Sequence, residues 1–268
     1  MQDLLVDLDL AIAAAFKAGQ IAEHHRENGI EQLEEKCSAC PVVTTADIEI
    51  DQYLYHTLLD QTPGYGWLSE EEVTKNDIEG KDRVWVVDPI DGTKGFVKED
   101  GMYSVSIALI EHGVPVVGVV YNPMRNQMFY CAKGHGVFFN DQRMYTQSPD
   151  VDEAFLISPM RRKDKPYTQQ LIMKTGQFDE VGSIAYRLAL IAAGQADMTF
   201  VDHDISLWDI AAGAVMLEEQ GFEMKNINGD YVDFIPADPI TKNGIFVAKD
   251  YIIDELEEEI KHIKQIKE

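Results

Sequence analysis

The pattern of apolar and polar positions predicts that the chain begins with two helices. Between residues 3 and 27, apolar side chains recur at helical spacing, which is typical of a scaffold helix with one buried face. These side chains are Leu5, Leu8, Ile12, Ala15, Phe16 and Gly19. A second helix is predicted to begin near Thr44, because Ile48, Tyr55 and Leu59 follow at helical intervals.

β-Branched, partly alternating segments predict that a sheet follows these helices. The predicted strands cover residues 103–111, 114–122, 127–132 and 136–139. Short turns such as His112-Gly113 join them, so we expect an antiparallel meander. Before the meander, the apolar pair Trp67-Leu68 predicts a short strand, and residues 85–87 predict another.

Strands and helices alternate in the rest of the chain. Predicted strands cover residues 154–158, 196–201, 231–234 and 244–248, and predicted helices cover residues 165–174, 182–194, 206–221 and 251–267. Alternation of this kind is typical of an α/β layer. We therefore predict an α+β half with an antiparallel sheet at residues 1–148 and an α/β half with a mixed sheet at residues 149–268.

The overall charge narrows the possible partners. The 268 residues include 47 acids and 23 lysines or arginines, so the formal net charge is −24. This field would repel a nucleic acid polymer and an anionic membrane. It would also repel a phosphorylated substrate, so an anionic substrate would require a divalent metal in the site. The first residues carry no basic side chain, and the sequence has no apolar stretch of membrane-spanning length, so we expect a cytoplasmic protein without membrane insertion.

The three cysteines fit a reducing compartment. Cys37 and Cys40 have the spacing of a redox motif or half of a zinc site. No second pair at metal-ligand spacing accompanies them, so we interpret them as a chance pair in a loop.

Two carboxylates follow the apolar segment at residues 85–87. Asp88 and Asp91 lie three residues apart in a short segment that also contains Pro89 and Gly92. Such a composition is typical of a tight turn. Their oxygens can nevertheless converge, and two close carboxylates repel each other unless a cation lies between them. The segment therefore predicts either a turn or part of a metal site.

Three further acids are candidates for the same site. Asp47 and Asp209 each follow a hydroxyl residue, Thr44 and Ser206, at the spacing of a helix capping box. Asp47 could therefore be a cap, a functional residue or both, and Asp209 could be a cap or could meet the carboxylates of the first half as a ligand. Glu70 directly follows the strand predicted at Trp67-Leu68, which would point it inward, so we favour it as a ligand over Glu71 and Glu72.

Four separated motifs resemble the inositol monophosphatase superfamily of magnesium-dependent, lithium-sensitive phosphatases. They are Thr44-Thr45-Ala46-Asp47, Leu68-Ser69-Glu70-Glu71, Asp88-Pro89-Ile90-Asp91-Gly92-Thr93 and Trp208-Asp209-Ile210-Ala211-Ala212-Gly213. One such motif would be weak evidence, whereas four in order over nearly the whole chain are specific. The resemblance implies alternating αβαβα layers of the sugar-phosphatase type and a homodimer.

The resemblance also implies the site residues. Glu70, Asp88 and the carbonyl of Ile90 would hold one Mg²⁺, and Asp88, Asp91 and Asp209 a second. Lys36 matches a flap near a weaker third ion. The segment formed by Ile90, Asp91, Gly92 and Thr93 would bind the substrate, with its backbone receiving the phosphate. We expect direct attack on phosphorus by a metal-activated water that Glu70 and Thr93 orient, with Asp47 fixing Thr93.

The substrate itself is less clearly indicated. Gly182, Ser183, Ile184 and Asp202 align with substrate-binding positions of the family, and an acid at position 202 suits the hydroxyls of an inositol phosphate. Residues 68–71, 91–94 and 104–110 instead resemble the 3′(2′),5′-bisphosphate nucleotidase branch. That branch has an arginine near position 202, so a second phosphate would here need Arg187 or Arg161. Histidinol-phosphate phosphatase and a catalytically idle metal-binding interaction protein are the alternatives.

Overall fold

A computed structural model describes residues 3–33, 42–71, 77–159 and 165–260. Lys36, Cys37, Cys40 and Arg161, which the sequence singled out, lie outside these ranges. The helices are α1 (Leu4–Asn28), α2 (Thr45–Gln61), α3 (Thr93–Lys98), α4 (Pro166–Thr175), α5 (Ile184–Ala192), α6 (Leu207–Glu219) and α7 (Asp250–Glu255). No helix in the described ranges combines the length and the apolar content needed to cross a membrane.

A seven-stranded sheet forms the centre of the first half. Its strands lie in chain order: β1 (Gly66–Ser69), β2 (Arg83–Asp91), β3 (Ser104–Glu111), β4 (Val114–Asn122), β5 (Gln127–Ala132), β6 (Val137–Phe139) and β7 (Gln142–Arg143). All neighbouring pairs are antiparallel except β1 and β2, which are parallel. The predicted antiparallel sheet is therefore confirmed, with one parallel edge strand.

Among the described residues of the second half there are seven short strands: β8 (Phe155–Ser158), β9 (Gln177–Glu180), β10 (Thr199–Val201), β11 (Ile205–Ser206), β12 (Glu223–Asn226), β13 (Ile240–Thr241) and β14 (Ile245–Ala248). The β8–β9 pair is parallel, whereas β14 pairs antiparallel with both β10 and β12. A parallel bridge between Leu156 and Met198 connects the two groups, which confirms the predicted mixed sheet. The β11–β13 pair is separate and antiparallel.

The strand predicted at residues 231–234 is wrong. Only one bridge forms there, between Tyr231 and Lys225, and the Tyr231 side chain is 68% exposed. Instead, β12 pairs with β14. The sequence of β12 is glutamate, methionine, lysine and asparagine, which is not typical of a strand. These four residues are half-buried, so cross-strand pairing rather than intrinsic propensity sets their conformation.

Helices cover both faces of the large sheet. On one face, α1 and α2 pack on an apolar cluster that includes β2, β3 and β4. On the other face, α5 and α6 pack on a second cluster with residues from both halves of the chain. The division of the chain near residue 148 stays a prediction.

The buried face of α1 differs in part from the predicted one, since Leu8, Ala15 and Gly19 are buried as predicted whereas the largest predicted side chains are not. Leu5 and Phe16 are 39% and 48% exposed, and the buried positions are mostly alanines at 11, 14, 15, 18 and 22. Small side chains let the helix axis approach the sheet closely. At Gly19, for example, an added Cβ would lie 2.4 Å from a ring carbon of Tyr121 on β4. Close approach, rather than the largest apolar side chains, therefore decides which face is buried.

Helix α6 is held against the sheet at two points. Gly118 on β4 faces the helix backbone so closely that an added Cβ would lie 2.2 Å from the carbonyl oxygen of Ala212. The Ser106 hydroxyl on β3 donates a hydrogen bond of 3.0 Å to the carbonyl of Trp208 at the start of the helix. Ser106 is also the cross-strand partner of Asp88 on β2. The first turn of α6, which carries Asp209, is therefore fixed relative to Asp88.

We predict that Gly118→Ala destabilises the protein by about 1–3 kcal/mol, because a methyl group there forces α6 away from the sheet. Urea denaturation gives the free energy of unfolding. Gly64→Ala is the matched control, since an added Cβ at Gly64 meets no atom within 4 Å. Equal stabilities of the two variants would contradict the close packing of α6.

Candidate active site

Two carboxylates converge at the end of β2 because the strand is irregular there. Residues three apart on a regular strand point to opposite faces. The register shifts between Asp88, which pairs with Ser106, and Asp91, which pairs with Ser104, and Pro89 lies within the shift. Such an irregularity redirects a side chain. One carboxylate oxygen from each aspartate can therefore lie on the same side of the sheet.

Asp209 reaches the same place from the start of α6. One oxygen of each of Asp88, Asp91 and Asp209 lies within 4.8 Å of the others. Asp209 also belongs to the capping box of α6, since its Oδ2 accepts a hydrogen bond of 3.2 Å from the backbone N–H of Ser206. The sequence left a cap and a ligand position as alternatives, and the geometry allows Asp209 to be both.

Asp91 is positioned by the start of α5. Its Oδ2 accepts hydrogen bonds from the Ser183 hydroxyl and, at 2.6 Å, from the backbone N–H of Ala185. Ser183 is the N-cap of α5, and its hydroxyl also contacts that of Ser104 at 3.2 Å. Ser183 and Ile184, expected to bind substrate, therefore lie at a helix start that binds Asp91.

Glu70 completes the carboxylate cluster, which we define as Glu70, Asp88, Asp91 and Asp209. Glu70 directly follows β1, and its backbone N–H bonds to the carbonyl of Val87 at 3.3 Å. Burial raises its pKa to about 7, although a hydrogen bond with Asp88 opposes the shift. Burial also raises the pKa of Glu71 to about 8, beside Asp47 and Asp51. Glu72 lies outside the described residues.

The other members of the cluster also resist ionisation. Burial raises the pKa of Asp88 well above its usual value, and the charges of Glu70, Asp91 and Asp209 add to the shift. The pKa of Asp209 is raised well above its usual value by burial and then by Asp91 and Glu70. Burial also raises the pKa of Asp91, although its bonds to Ser183 and Ala185 oppose the shift. The arrangement disfavours four negative charges in the absence of a cation.

Asp47 both caps a helix and contacts the site. Its Oδ2 accepts hydrogen bonds from the backbone N–H and the hydroxyl of Thr44, at 2.8 and 2.6 Å, in the capping box of α2. Its Oδ1 accepts a weaker bond of 3.4 Å from the Thr93 hydroxyl. That hydroxyl also lies 3.1 Å from the carbonyl oxygen of Ile90. Asp47, Ile90 and Thr93 are thus brought together around one hydroxyl.

Gly92 connects the cluster to α3. It adopts the left-handed conformation, with φ of 90°, and an added Cβ would lie 2.7 Å from the carbonyl oxygen of Met102. Only glycine tolerates both conditions. The first hydrogen bond of the following turn is donated by Gly95 to the carbonyl of Gly92 at 2.7 Å, so the amides of Thr93 and Lys94 precede it. Such amides are available to an anion.

A cavity of about 750 Å³ lies over the carboxylate cluster. Its lining includes Ile90, Gly92, Thr93 and Gly182. Residues that the sequence did not single out as contacts also line it, among them Lys94, Lys98, Met102, Glu180 and His203. Apart from Lys94, which belongs to the motif at residues 91–94, no residue pattern marked them, because they come from a helix turn, a loop and strand ends that only the fold brings together.

Two residues considered for substrate binding are not among the described residues that line the cavity. Asp202 accepts hydrogen bonds from the hydroxyl of Tyr167 and, at 3.2 Å, from Nδ1 of His203, and it is not among the described residues that line the cavity. Arg187 is 1% exposed and donates to the hydroxyl of Thr199 and the carbonyl of Phe200. Arg187 therefore belongs to the core, where its guanidinium is bound to other groups of the chain.

The fold and the site define a phosphatase. More specifically, the chain belongs to the inositol monophosphatase family, because the model of that family matches residues 3–266. The family uses metal ions, and the carboxylate cluster supplies oxygen ligands for one.

Individual relatives agree with this assignment. The chain is 33% identical over 217 residues to an inositol-1-monophosphatase from Caulobacter vibrioides, covering 76% of this chain and 83% of that one. It is 30% identical over 258 residues to a fructose-1,6-bisphosphatase/inositol-1-monophosphatase from Thermotoga maritima, covering 94% and 98%. Among solved structures, the extragenic suppressor protein suhB from Bartonella henselae superimposes with a TM-score of 0.82 at 27% identity, covering 94% and 97%.

We predict that the metal-free protein loses stability between pH 6 and pH 8. A carboxyl group whose pKa is raised on folding stabilises the protein below its unfolded pKa, and this contribution is lost as the pH rises through the folded pKa. For Glu70, with a folded pKa of about 7 against an ordinary 4.5, the loss is about 1 kcal/mol. Thermal unfolding in a chelator should show a midpoint lower by about 2–4 °C at pH 8.

Glu71 adds a change of the same sign, since its pKa is raised to about 8. Glu70→Gln is the control, because it removes one of the titrating groups and should flatten the dependence. A midpoint that is constant or rises from pH 6 to pH 8 in the chelator would contradict the charge repulsion inferred for the cluster.

Proposed function

We propose that the protein is a Mg²⁺-dependent phosphomonoesterase that hydrolyses a small phosphorylated polyol or nucleotide. The observation that carries this proposal is the convergence of Asp88, Asp91 and Asp209, whose oxygens lie within 4.8 Å of one another. A metal fits this place for two reasons. All the donors are carboxylate oxygens, which Mg²⁺ prefers, and Asp88 Oδ1 is buried without a hydrogen-bond partner among the described residues.

The ligand sets follow the resemblance. Glu70, Asp88 and the carbonyl oxygen of Ile90 would hold one ion, and Asp88, Asp91 and Asp209 a second. When bound, Mg²⁺ would neutralise phosphate charge and lower the pKa of the attacking water. Inhibition by lithium and a homodimer, both implied by the same resemblance, belong to this proposal.

The protein's own groups then position the reactants. The amides of Thr93 and Lys94 point beyond the start of α3 and would receive phosphate oxygens. The Thr93 hydroxyl, held between Asp47 and the carbonyl of Ile90, would orient the water. Glu70, whose pKa is raised to about 7 in the metal-free site, would accept the proton of that water. Direct attack needs no phosphorylated residue.

An inositol phosphate is the first substrate to test. The Caulobacter vibrioides and Thermotoga maritima relatives both carry inositol-1-monophosphatase in their names. A catalytically idle relative would be expected to lack a ligand or the site threonine, whereas Glu70, Asp88, Asp91, Thr93 and Asp209 are all present.

We predict that the purified protein releases phosphate from inositol 1-phosphate with Mg²⁺ and not with a chelator. Asp209→Asn should lower kcat by about 10²-fold or more. Asparagine retains an oxygen that can accept the capping bond from Ser206, so the loss reports the ligand rather than the helix.

Asp3→Asn is the matched control, because Asp3 also caps a helix, accepting from the backbone N–H of Leu5 at 3.2 Å, but lies outside the cluster. Phosphate release that persists in the chelator, or an Asp209→Asn protein as fast as the parent, would contradict the proposal.

A further inference from the structure

Helix α3, which carries Thr93, is anchored in the core by a single large side chain. The helix is six residues long, and a helix of this length is not stable by itself in water. Only Gly95 and Phe96 of its residues are buried. Because glycine has no side chain, the Phe96 ring is the anchor. The groups that pack on this ring therefore influence where Thr93 lies relative to the carboxylate cluster.

The aromatic partner of Phe96 is Tyr103, the residue before β3. The two rings meet edge to face, with their centroids 5.0 Å apart and an interplanar angle of 67°. Tyr103 is buried, and its hydroxyl donates a hydrogen bond of 2.6 Å to Oε1 of Glu23 on α1. This bond fixes the orientation of the ring on which Phe96 packs.

Glu23 is itself held by Arg26, three residues further along α1. Nε of Arg26 donates to both carboxylate oxygens at 3.1 Å, and Nη2 donates to Oε2 at 2.6 Å. Such a forked contact is stronger and more directional than a single hydrogen bond. Burial would raise the pKa of Glu23, but the hydrogen bonds from Arg26 and Tyr103 outweigh burial and lower the pKa. Glu23 is therefore an ionised acceptor at neutral pH.

Arg26 also contacts the far end of α3. Its Nη1 lies 3.7 Å from Oε2 of Glu99, the residue at which the helix ends. Glu99 adopts the left-handed conformation, with φ of 54°. Glycine or asparagine is the usual residue at such a helix end, because a longer side chain strains the backbone there. The contact with Arg26 gives a physical reason for a glutamate at this position.

These four residues lie behind α3 rather than in the site. Glu23, Arg26, Glu99 and Tyr103 are not among the described residues that line the active-site cavity, whereas Thr93 is. The carboxylate cluster is carried by other elements, namely β2, α6 and the residue after β1. A loss of these contacts would therefore displace Thr93 and leave the metal ligands in place.

We propose that Glu23, Arg26, Glu99 and Tyr103 form a brace that positions α3, and with it Thr93, for the reaction. This inference rests on the proposed phosphatase function and adds four positioning residues from outside the cavity. The segment that would receive the phosphate ends at Thr93. Loosening the brace therefore weakens phosphate binding without weakening metal binding.

The test measures phosphate binding and metal binding separately. The variants are Arg26→Gln, Glu99→Gln and Tyr103→Phe, which removes the hydroxyl and keeps the ring. With Mg²⁺ present, we would measure the inhibition constant of inorganic phosphate, together with kcat and KM for inositol 1-phosphate or, if the parent does not hydrolyse it, 3′-AMP. Calorimetry would give the affinity of the substrate-free proteins for Mn²⁺.

Tyr130→Phe is the matched control. The Tyr130 hydroxyl also donates to an acid, Asp141, at 2.9 Å, and Tyr130 on β5 is not among the described residues that line the cavity. This variant therefore removes the same kind of hydrogen bond at a place with no connection to α3. We expect its KM, phosphate inhibition constant and Mn²⁺ affinity to match those of the parent.

The brace predicts that Tyr103→Phe and Arg26→Gln each raise KM and the phosphate inhibition constant by about 5-fold, the size expected for one lost hydrogen bond. Glu99→Gln should raise both by about 2-fold, because the Glu99 side chain is 54% exposed. The Mn²⁺ affinity of all three variants should equal that of the parent.

Overall charge alone predicts a different pattern. Arg26→Gln makes the chain more negative and Glu99→Gln makes it less negative, so a long-range effect on phosphate would have opposite signs in the two variants. The brace requires the same sign. Opposite shifts of the phosphate inhibition constant, or a shift in Tyr130→Phe equal to that in Tyr103→Phe, would overturn the proposal.

A purely structural role is also distinguishable. Destabilised variants would contain less active protein, so the apparent kcat would fall while KM and the phosphate inhibition constant stayed at the parent values. That result would overturn the brace. An equal weakening of Mn²⁺ binding would place the effect at the carboxylate cluster and would overturn it as well.

Failure of the underlying function has its own signature. If the parent released no phosphate from inositol 1-phosphate or 3′-AMP with Mg²⁺, the phosphatase proposal and the brace would both be rejected. If the parent was active and the three variants kept its KM and phosphate inhibition constant, the function would stand and the brace alone would be rejected.

Discussion

Repulsion among buried carboxylates is the main unfavourable interaction that the rest of this fold has to offset. Asp88 and Asp91 are almost completely buried, and each has an oxygen within 4.8 Å of one from Asp209. Folding brings these charges together from two halves of the chain, and burial raises the pKa of each group. The apolar clusters on both faces of the sheet supply the stability that opposes this repulsion. Bound cations would turn the same geometry into a favourable one.

Ordinary secondary-structure chemistry holds the acids in place. Asp47 and Asp209 each belong to a capping box, and Asp91 accepts a backbone hydrogen bond at the start of α5. A capping acid is fixed by the helix that it caps, so its second oxygen has a defined direction without additional structure. Gly118 and Ser106 then fix α6 on the sheet. Local stability and the site therefore depend on the same side chains.

The sequence predicted those features whose cause is local. The strands at residues 114–122 and 127–132 have the predicted bounds, and Thr44 and Ser206 begin helices at the capping positions. Features that depend on packing were missed. The buried face of α1 consists mainly of alanines, whereas Leu5 and Phe16 are exposed. The polar strand β12 forms only because β14 pairs with it. Likewise, spacing cannot show that Arg187 is buried, or that Lys94 and Lys98 line the cavity.

The proposed function requires a metal ion at the carboxylate cluster. The most direct test is anomalous diffraction from crystals grown with Mn²⁺, which takes the same oxygen ligands as Mg²⁺. We expect an anomalous peak that is coordinated by Asp88, Asp91 and Asp209 together, at about 2.0–2.3 Å from an oxygen of each. A peak elsewhere, or crystals grown at saturating Mn²⁺ in which these three carboxylates contact no ion, would contradict it.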